Sequence, residues 1–224
     1  MTAELRQLVE GTLMVLAALI PIVNPLGNAP LFLAMTADQD DVMRESLARK
    51  LALYGFVLLL ASVFIGNFVL KFFGVSVPVV QIAGGLVVGS LAWRLLGESA
   101  SVGKPSGDPG VDSDAITARA FYPLTLPLTV GPGSISVAIT IGANFPSTVQ
   151  PFLADAVSAV IGVTLVCVVT YLCYRYSDRL AAFLGRNGTA VVLRLSAFIL
   201  LCIGVQIAWN GVDALLGVTH ARPQ

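Results

Sequence analysis

The chain has 224 residues, 13 basic and 13 acidic side chains and a mean hydropathy of +0.86. Only 12% of its residues are charged and 56% are hydrophobic, where a soluble domain carries roughly a quarter charged. This excludes an ordinary water-soluble globule, makes a lipid bilayer the solvent, and with zero net charge gives no reason to expect a nucleic-acid partner.

Six apolar stretches are long enough to span roughly 30 Å of hydrocarbon, at about 20 residues each. They fall near residues 8–36, 51–73, 77–96, 120–144, 152–174 and 193–216. The first is interrupted by Asn24-Pro25-Leu26-Gly27 with Pro30 close behind, the fourth by Gly131-Pro132-Gly133-Ser134 with Pro127 just before. Between segments three and four, residues 97–118 form a hydrophilic stretch rich in Gly, Ser, Pro and Asp. Its composition resists packing, so it reads as a flexible cytoplasmic linker between a first repeat, 1–96, and a second, 119–224.

Basic residues set the orientation. Arg44, Arg49, Lys50, Arg94, Lys104, Arg119, Arg175, Arg179, Arg186 and Arg194 fall on the odd-numbered loops and their flanks, against Arg6, Lys71 and Arg222 elsewhere. The positive-inside rule then places the odd-numbered loops in the cytoplasm and both termini outside. Glu4, Arg6 and Glu10 precede the first apolar run, unlike a signal peptide, so the N-terminus is expected to be retained.

The two broken segments resemble each other, Leu19-Ile20-Pro21-Ile22-Val23-Asn24-Pro25-Leu26-Gly27 beside Leu126-Pro127-Leu128-Thr129-Val130-Gly131-Pro132-Gly133-Ser134. Segment three around Gln81-Ile82-Ala83-Gly84-Gly85 resembles segment six from Arg194 more weakly. Three crossings per half is an odd number, so the second half must run inverted. The fold expected is therefore an all-α membrane protein: six transmembrane helices in two inverted three-helix repeats, with helices 1 and 4 broken near midplane. Such architecture is typical of secondary transporters, whose sites lie where discontinuous helices meet.

Proline removes an N–H and clashes with the preceding turn, and glycine weakens a helix, so both motifs should open the backbone. Open backbone cannot face lipid; it must be buried in protein or line a polar cavity. The half-helices after the breaks, about 28–35 and 134–143, would start at the centre and leave it in opposite directions. Their free N–H groups and positive dipole ends would suit a carboxylate, and carbonyls at 21–23 and 128–130 an ammonium group or coupling cation. The candidate substrate-binding residues are Asn24, Pro25, Gly27, Asn28, Thr129, Gly131, Pro132, Gly133 and Ser134, with a small zwitterion as ligand. Asn, Ser and Thr at such places also satisfy the broken helices' own backbone, and that reading stands beside the functional one.

Elsewhere the chain offers less chemistry. Gly84, Gly85 and Gly89 read as a close helix-packing face, and Gln81 and Gln206 as cavity or cross-helix donors. Arg94 and Arg194 read as snorkelling anchors near the cytoplasmic face, with Trp93 and Trp209 at the interfaces. Cys167, Cys173 and Cys202 lack C-x-x-C spacing and the one histidine is His220, so neither a metal site, a disulfide framework nor a cofactor is expected. No acid falls at mid-depth, which leaves open coupling to sodium through carbonyls and hydroxyls, coupling to protons through a peripheral acid, or no coupling at all. No paired carboxylates, H-E-x-x-H or G-x-S-x-G arrangement appears, so an enzyme is not expected.

With N-P-L-G-N-A-P-L-F in the first segment, Q-I-A-G-G-L-V-V in the third, L-P-L-T-V-G-P-G-S-I in the fourth and G-V-Q-I-A-W-N-G near the end, the sequence resembles the MarC family of six-helix integral membrane proteins. The resemblance implies a plasma-membrane (inner-membrane) location and transport of small neutral amino acids such as glycine or alanine. It also marks Asn24, Pro25, Gly27, Pro30, Pro127, Gly131, Pro132 and Gly133 as distinctive positions. Where many relatives have Arg before I-A-G-G, this chain has Gln81, which withholds a charge-based role there. Alternating access between the repeats is the mechanism expected; a non-transporting scaffold or regulatory protein, or a small-solute channel, are the competing classes. A homo-oligomer is compatible with every one of them.

Overall fold

A computed structural model describes residues 3–37, 39–97, 129–146 and 148–217. Seven helices succeed one another among these residues: α1 (Ala3–Val23), α2 (Pro25–Met35), α3 (Asp41–Phe72), α4 (Val77–Gly97), α5 (Pro132–Ala143), α6 (Val149–Arg175) and α7 (Ser177–Leu216). Five described stretches are long and apolar enough to cross a membrane: Leu5–Met35, Asp41–Phe72, Val77–Gly97, Pro151–Arg175 and Gly188–Leu216. Helix α5 is apolar but shorter. Of the fourth expected crossing, residues 120–128 lie outside the described residues, as does the expected linker beyond Gly97.

Helix is the natural state for these runs because, in lipid, every backbone polar group must be satisfied within the segment. Large apolar side chains accordingly point outward along the helices, among them Met14, Phe68, Phe72, Trp93 and Phe183. Two helices extend well beyond the apolar runs that announced them. Helix α3 begins at Asp41, capped by the Asp40 carboxylate accepting from the Met43 N–H at 2.7 Å. Such a cap stabilises by about 1 kcal/mol. Helix α7 begins at Ser177 and bends at Gly185, where φ of 64° is a left-handed conformation natural to glycine.

Packing assembles three buried clusters. The largest joins Val15, Leu19 and Val23 of α1 to Leu59 and Val63 of α3, Val130, Ala138 of α5, and Ala159, Val163 and Val166 of α6. A second holds Ala29 and Phe32 of α2 against Leu47, Ala48 and Leu51 of α3 and Tyr174 of α6. The third places Val88 and Ala92 of α4 on Leu200 of α7. Helix α4 runs along α7 in the most extensive of the helix pairings, α2 leans on α6 and α7, and α5 leans on α3 and α4.

The α4–α7 contact depends on absent side chains. A methyl group added at Gly85 would lie 2.5 Å from the Gly204 carbonyl oxygen, and one at Gly204 2.6 Å from the Gly89 nitrogen. Small residues that let backbones touch are how helices associate where lipid is as apolar as the side chains. The glycine face read from the sequence is thus a packing face. Near the α2–α3 connection, Glu45 receives Arg175 at 2.9 Å, Arg49 at 3.5 Å and the Tyr171 hydroxyl at 3.3 Å, tying α3 to α6.

Candidate functional site

Both breaks occur where proline and glycine put them, and each following half-helix carries proline in its first turn, where the missing N–H costs nothing. Their local chemistry differs. At the first, Asn24 adopts φ 46° and ψ 57°, a left-handed conformation that asparagine tolerates better than most residues. Its Oδ1 accepts the Gly27 N–H at 3.2 Å, and Asn28 Nδ2 donates to the Val23 carbonyl at 2.9 Å. The Asn24 N–H still reaches the Ile20 carbonyl at 2.8 Å. This break closes on itself, with Pro25 and Gly27 buried.

At the second break, Gly131 is extended (φ −96°, ψ 179°) and contributes no side-chain cap to α5. The Gly131 carbonyl accepts from Ile135 N at 3.1 Å and from Ser134 Oγ at 3.0 Å. Pro132 has no N–H, so the N–H groups of Gly133 and Ser134 are the donors left at this helix start. The α5 start is pressed onto α4: a methyl group added at Gly133 would collide with Val88 Cγ2 and lie 3.6 Å from Ile22 Cγ2.

This second break opens into a cavity of about 400 Å³. Six of the nine candidate residues line it, namely Asn28, Thr129, Gly131, Pro132, Gly133 and Ser134. Asn24, Pro25 and Gly27 do not line it; the Asn24 side chain is spent on the Gly27 N–H. The remaining wall includes Ile22, Met35, Val88, Ser90 and Arg94. Thr129, 4% exposed, pairs with the Tyr174 hydroxyl at 3.0 Å, and that ring stacks on Phe32 with centroids 4.7 Å apart.

A larger cavity of about 640 Å³ lies along α1 toward its N-terminus and is lined by polar groups that include Gln7, Glu10, Gln81, Thr140, Asp155 and Asn210. Ile22 lines both cavities, and with Val88 and Leu200 it belongs to the apolar cluster beside Gly133. The two cavities therefore lie along the first broken segment and have Ile22 in common. Gln81 donates to Thr140 Oγ1 at 3.1 Å across α4 and α5, whereas Gln206 is used within α7, on Asn210 at 2.8 Å.

Sequence reasoning missed Tyr174, which sits at the end of an apolar run with nothing to set it apart. Arg94, read from the sequence as an orientation anchor before any role as a ligand partner, lines the smaller cavity. The spacing Val88, Leu91, Arg94, Leu95 on one helical face was the available signal, since Val88 follows the glycine pair by one turn.

Comparison with known proteins agrees with this architecture. A family model described as MarC family integral membrane protein matches residues 10–216. The inner membrane protein MarC of Salmonella typhimurium is 30% identical over 216 residues, an alignment covering 92% of this chain and 95% of that protein. Its counterparts in Citrobacter koseri and Escherichia coli O157:H7 are 29% and 28% identical with the same coverage. No solved structure matches the chain.

Proposed function

Because this chain belongs to the MarC family of integral membrane proteins, we propose that it is an inner-membrane transporter of small neutral amino acids such as glycine or alanine. The observation that carries the proposal is the uncapped start of α5 opening into the 400 Å³ cavity beside Asn28 and Thr129. Two free N–H groups at the positive end of a helix dipole favour a carboxylate. The hydroxyl and amide groups around them give an ammonium group acceptors, and a few polar groups in an otherwise apolar cavity of about 300–1,000 Å³ is the usual make-up of a small-molecule site.

Alternating access between two inverted three-helix repeats is the mechanism that fits the packing. If segments one to three correspond to four to six, α2 corresponds to α5, α3 to α6 and α4 to α7. The contacts then exchange in pairs: α2 leans on α6 and α7 as α5 leans on α3 and α4, and α4 and α7 pack on each other. That exchange supports the inverted-repeat reading, and the basic residues support both termini lying outside. In this orientation the larger cavity faces outward, the smaller faces the cytoplasm, and Ile22 belongs to the seal between them.

Proteoliposome uptake of labelled glycine and alanine, with and without proton and sodium gradients, tests the function. Saturable, protein-dependent uptake is expected. Absence of flux across a panel of small zwitterions would contradict it. Sidedness is tested in a background without Cys167, Cys173 and Cys202: Gln7→Cys in the larger cavity and Ser90→Cys in the smaller should react with an impermeant thiol reagent from opposite faces, and labelling of both from one face would reject the arrangement.

A further inference from the structure

We propose that Arg94 is the residue through which the smaller cavity selects its ligand, so that the cavity takes small carboxylates, with or without an ammonium group, and rejects amines and amides. This rests on the transport site proposed above and names the part of the substrate that the site reads.

The first observation is the charge of the wall. Arg94 is the one charged side chain among the described residues lining the smaller cavity, and no carboxylate faces it there. The larger cavity has the opposite character, with Glu10 and Asp155 in its wall and no basic residue among the described ones. A cation in the first chamber and acids in the second give the two halves of one path opposite signs. Charges of one sign in a cleft with apolar walls focus their field and raise the local concentration of the opposite charge.

The second observation is that Arg94 is uncommitted. Arg6, Arg44, Arg49 and Arg175 each sit on a carboxylate, at 2.7, 2.9, 3.5 and 2.9 Å, whereas Arg179 and Arg194 do not among the described residues, and neither of those two lines a cavity described above. Arg94 has no ion pair among the described residues. Arg94 is exposed, as its neighbour Trp93 is, but Arg94 lines the smaller cavity and Trp93 lines neither. Helical spacing explains the placement. Val88, Leu91, Arg94 and Leu95 recur every three or four residues and together line the chamber. Val88, which abuts Gly133, is six residues before Arg94, a rise of about 9 Å. An arginine side chain is long enough to cover much of that separation, so a forked, permanently charged donor on an exposed side chain is within reach of the chamber that the α5 start also lines.

Chemically, a guanidinium offers parallel N–H donors that match the two oxygens of a carboxylate, and the charge-assisted pair is roughly twice as strong as a neutral one. An amine meets repulsion from the same group, and an amide forms only neutral hydrogen bonds. The acids of the larger chamber would disfavour a simple anion there, which makes the smaller chamber the higher-affinity end for a carboxylate.

The test uses the full-length protein in detergent and four probes of similar size: alanine, propionate, alaninamide and ethylamine. Isothermal titration should show alanine and propionate binding, with alaninamide and ethylamine at least ~10-fold weaker, a difference of about 1.4 kcal/mol. Arg94→Gln should weaken alanine and propionate by a similar factor, Arg94→Lys should fall between, and Arg194→Gln, outside both cavities, should bind as wild type. Arg94→Gln binding carboxylates like wild type, amide or amine binding as well as alanine, or no binding by any of the four probes would overturn the proposal. Should Arg94→Gln not fold, the wild-type ranking of the four probes and the Lys variant decide it. Arg94-dependent binding without flux would remove the transport reading alone, and alanine flux insensitive to Arg94 would remove this inference alone.

Discussion

The two helix breaks are similar in sequence and opposite in what they do with their free backbone groups. At Asn24 the side chain turns back onto Gly27 and Asn28 covers the Val23 carbonyl, so the interruption is sealed by its own residues. At Gly131 there is no side chain to turn back, and the α5 start faces a cavity. In the proposed reading, a break serves as a binding site when its capping groups are withheld. Of the residues at the first break, only Asn28 lines the smaller cavity, whereas the second break presents the open N–H groups.

The largest way to break this comparison is to fill the second break. Gly133→Val places a side chain on Val88 and between the α5 start and Ile22, and should reduce ligand affinity and flux by at least ~10-fold while the protein still inserts. Binding measured on purified variant and wild type checks this, and unchanged affinity would move the site away from α5. At the first break the expected effect is on stability. Asn24→Ala loses the cap and puts alanine in a left-handed conformation, costing about 1–2 kcal/mol in denaturant or thermal unfolding. Ligand affinity should stay as in wild type; a change in affinity without loss of stability would make the two breaks equivalent after all.

A smaller effect separates the floor of the cavity from its support. Thr129→Val removes a partner of the buried Tyr174 hydroxyl and should cost about 1 kcal/mol, read as a lowered melting temperature. Smallest of all is Glu45→Gln at the end of α3. Its ion pairs with Arg175 and Arg49 are partly exposed, so the loss should be no more than about 0.5–1 kcal/mol, with no effect on ligand binding. A large loss of binding in that variant would show that the two ends of the bundle are coupled.

Much of this was legible in the sequence because lipid imposes a simple rule: long apolar runs are helices, and proline with glycine at mid-length breaks them. The positions of both breaks followed from that rule, as did Gly85 in a packing face. The first ten residues of α3 did not, since a hydropathy reading begins at Leu51 and the helix is set by the Asp40 cap and the ion pairs of Arg44, Glu45 and Arg49. Nor did the difference between the breaks. It depends on side-chain closure at Asn24 and on which wall α5 meets, and neither is written in the N-P-L-G and G-P-G-S motifs themselves. Tyr174 and Arg94 enter the region through folding of distant segments, the one from α6 beneath Thr129 and the other from α4 above Gly133.

The central claim is that the chamber at the second break carries a small amino acid across the membrane. Uptake of labelled alanine into proteoliposomes containing wild-type protein, Asn24→Ala or Gly133→Val tests it most directly. The account predicts saturable uptake by the first two and its loss in the third. Equal uptake by all three, or none by the wild type for any small zwitterion, would contradict it.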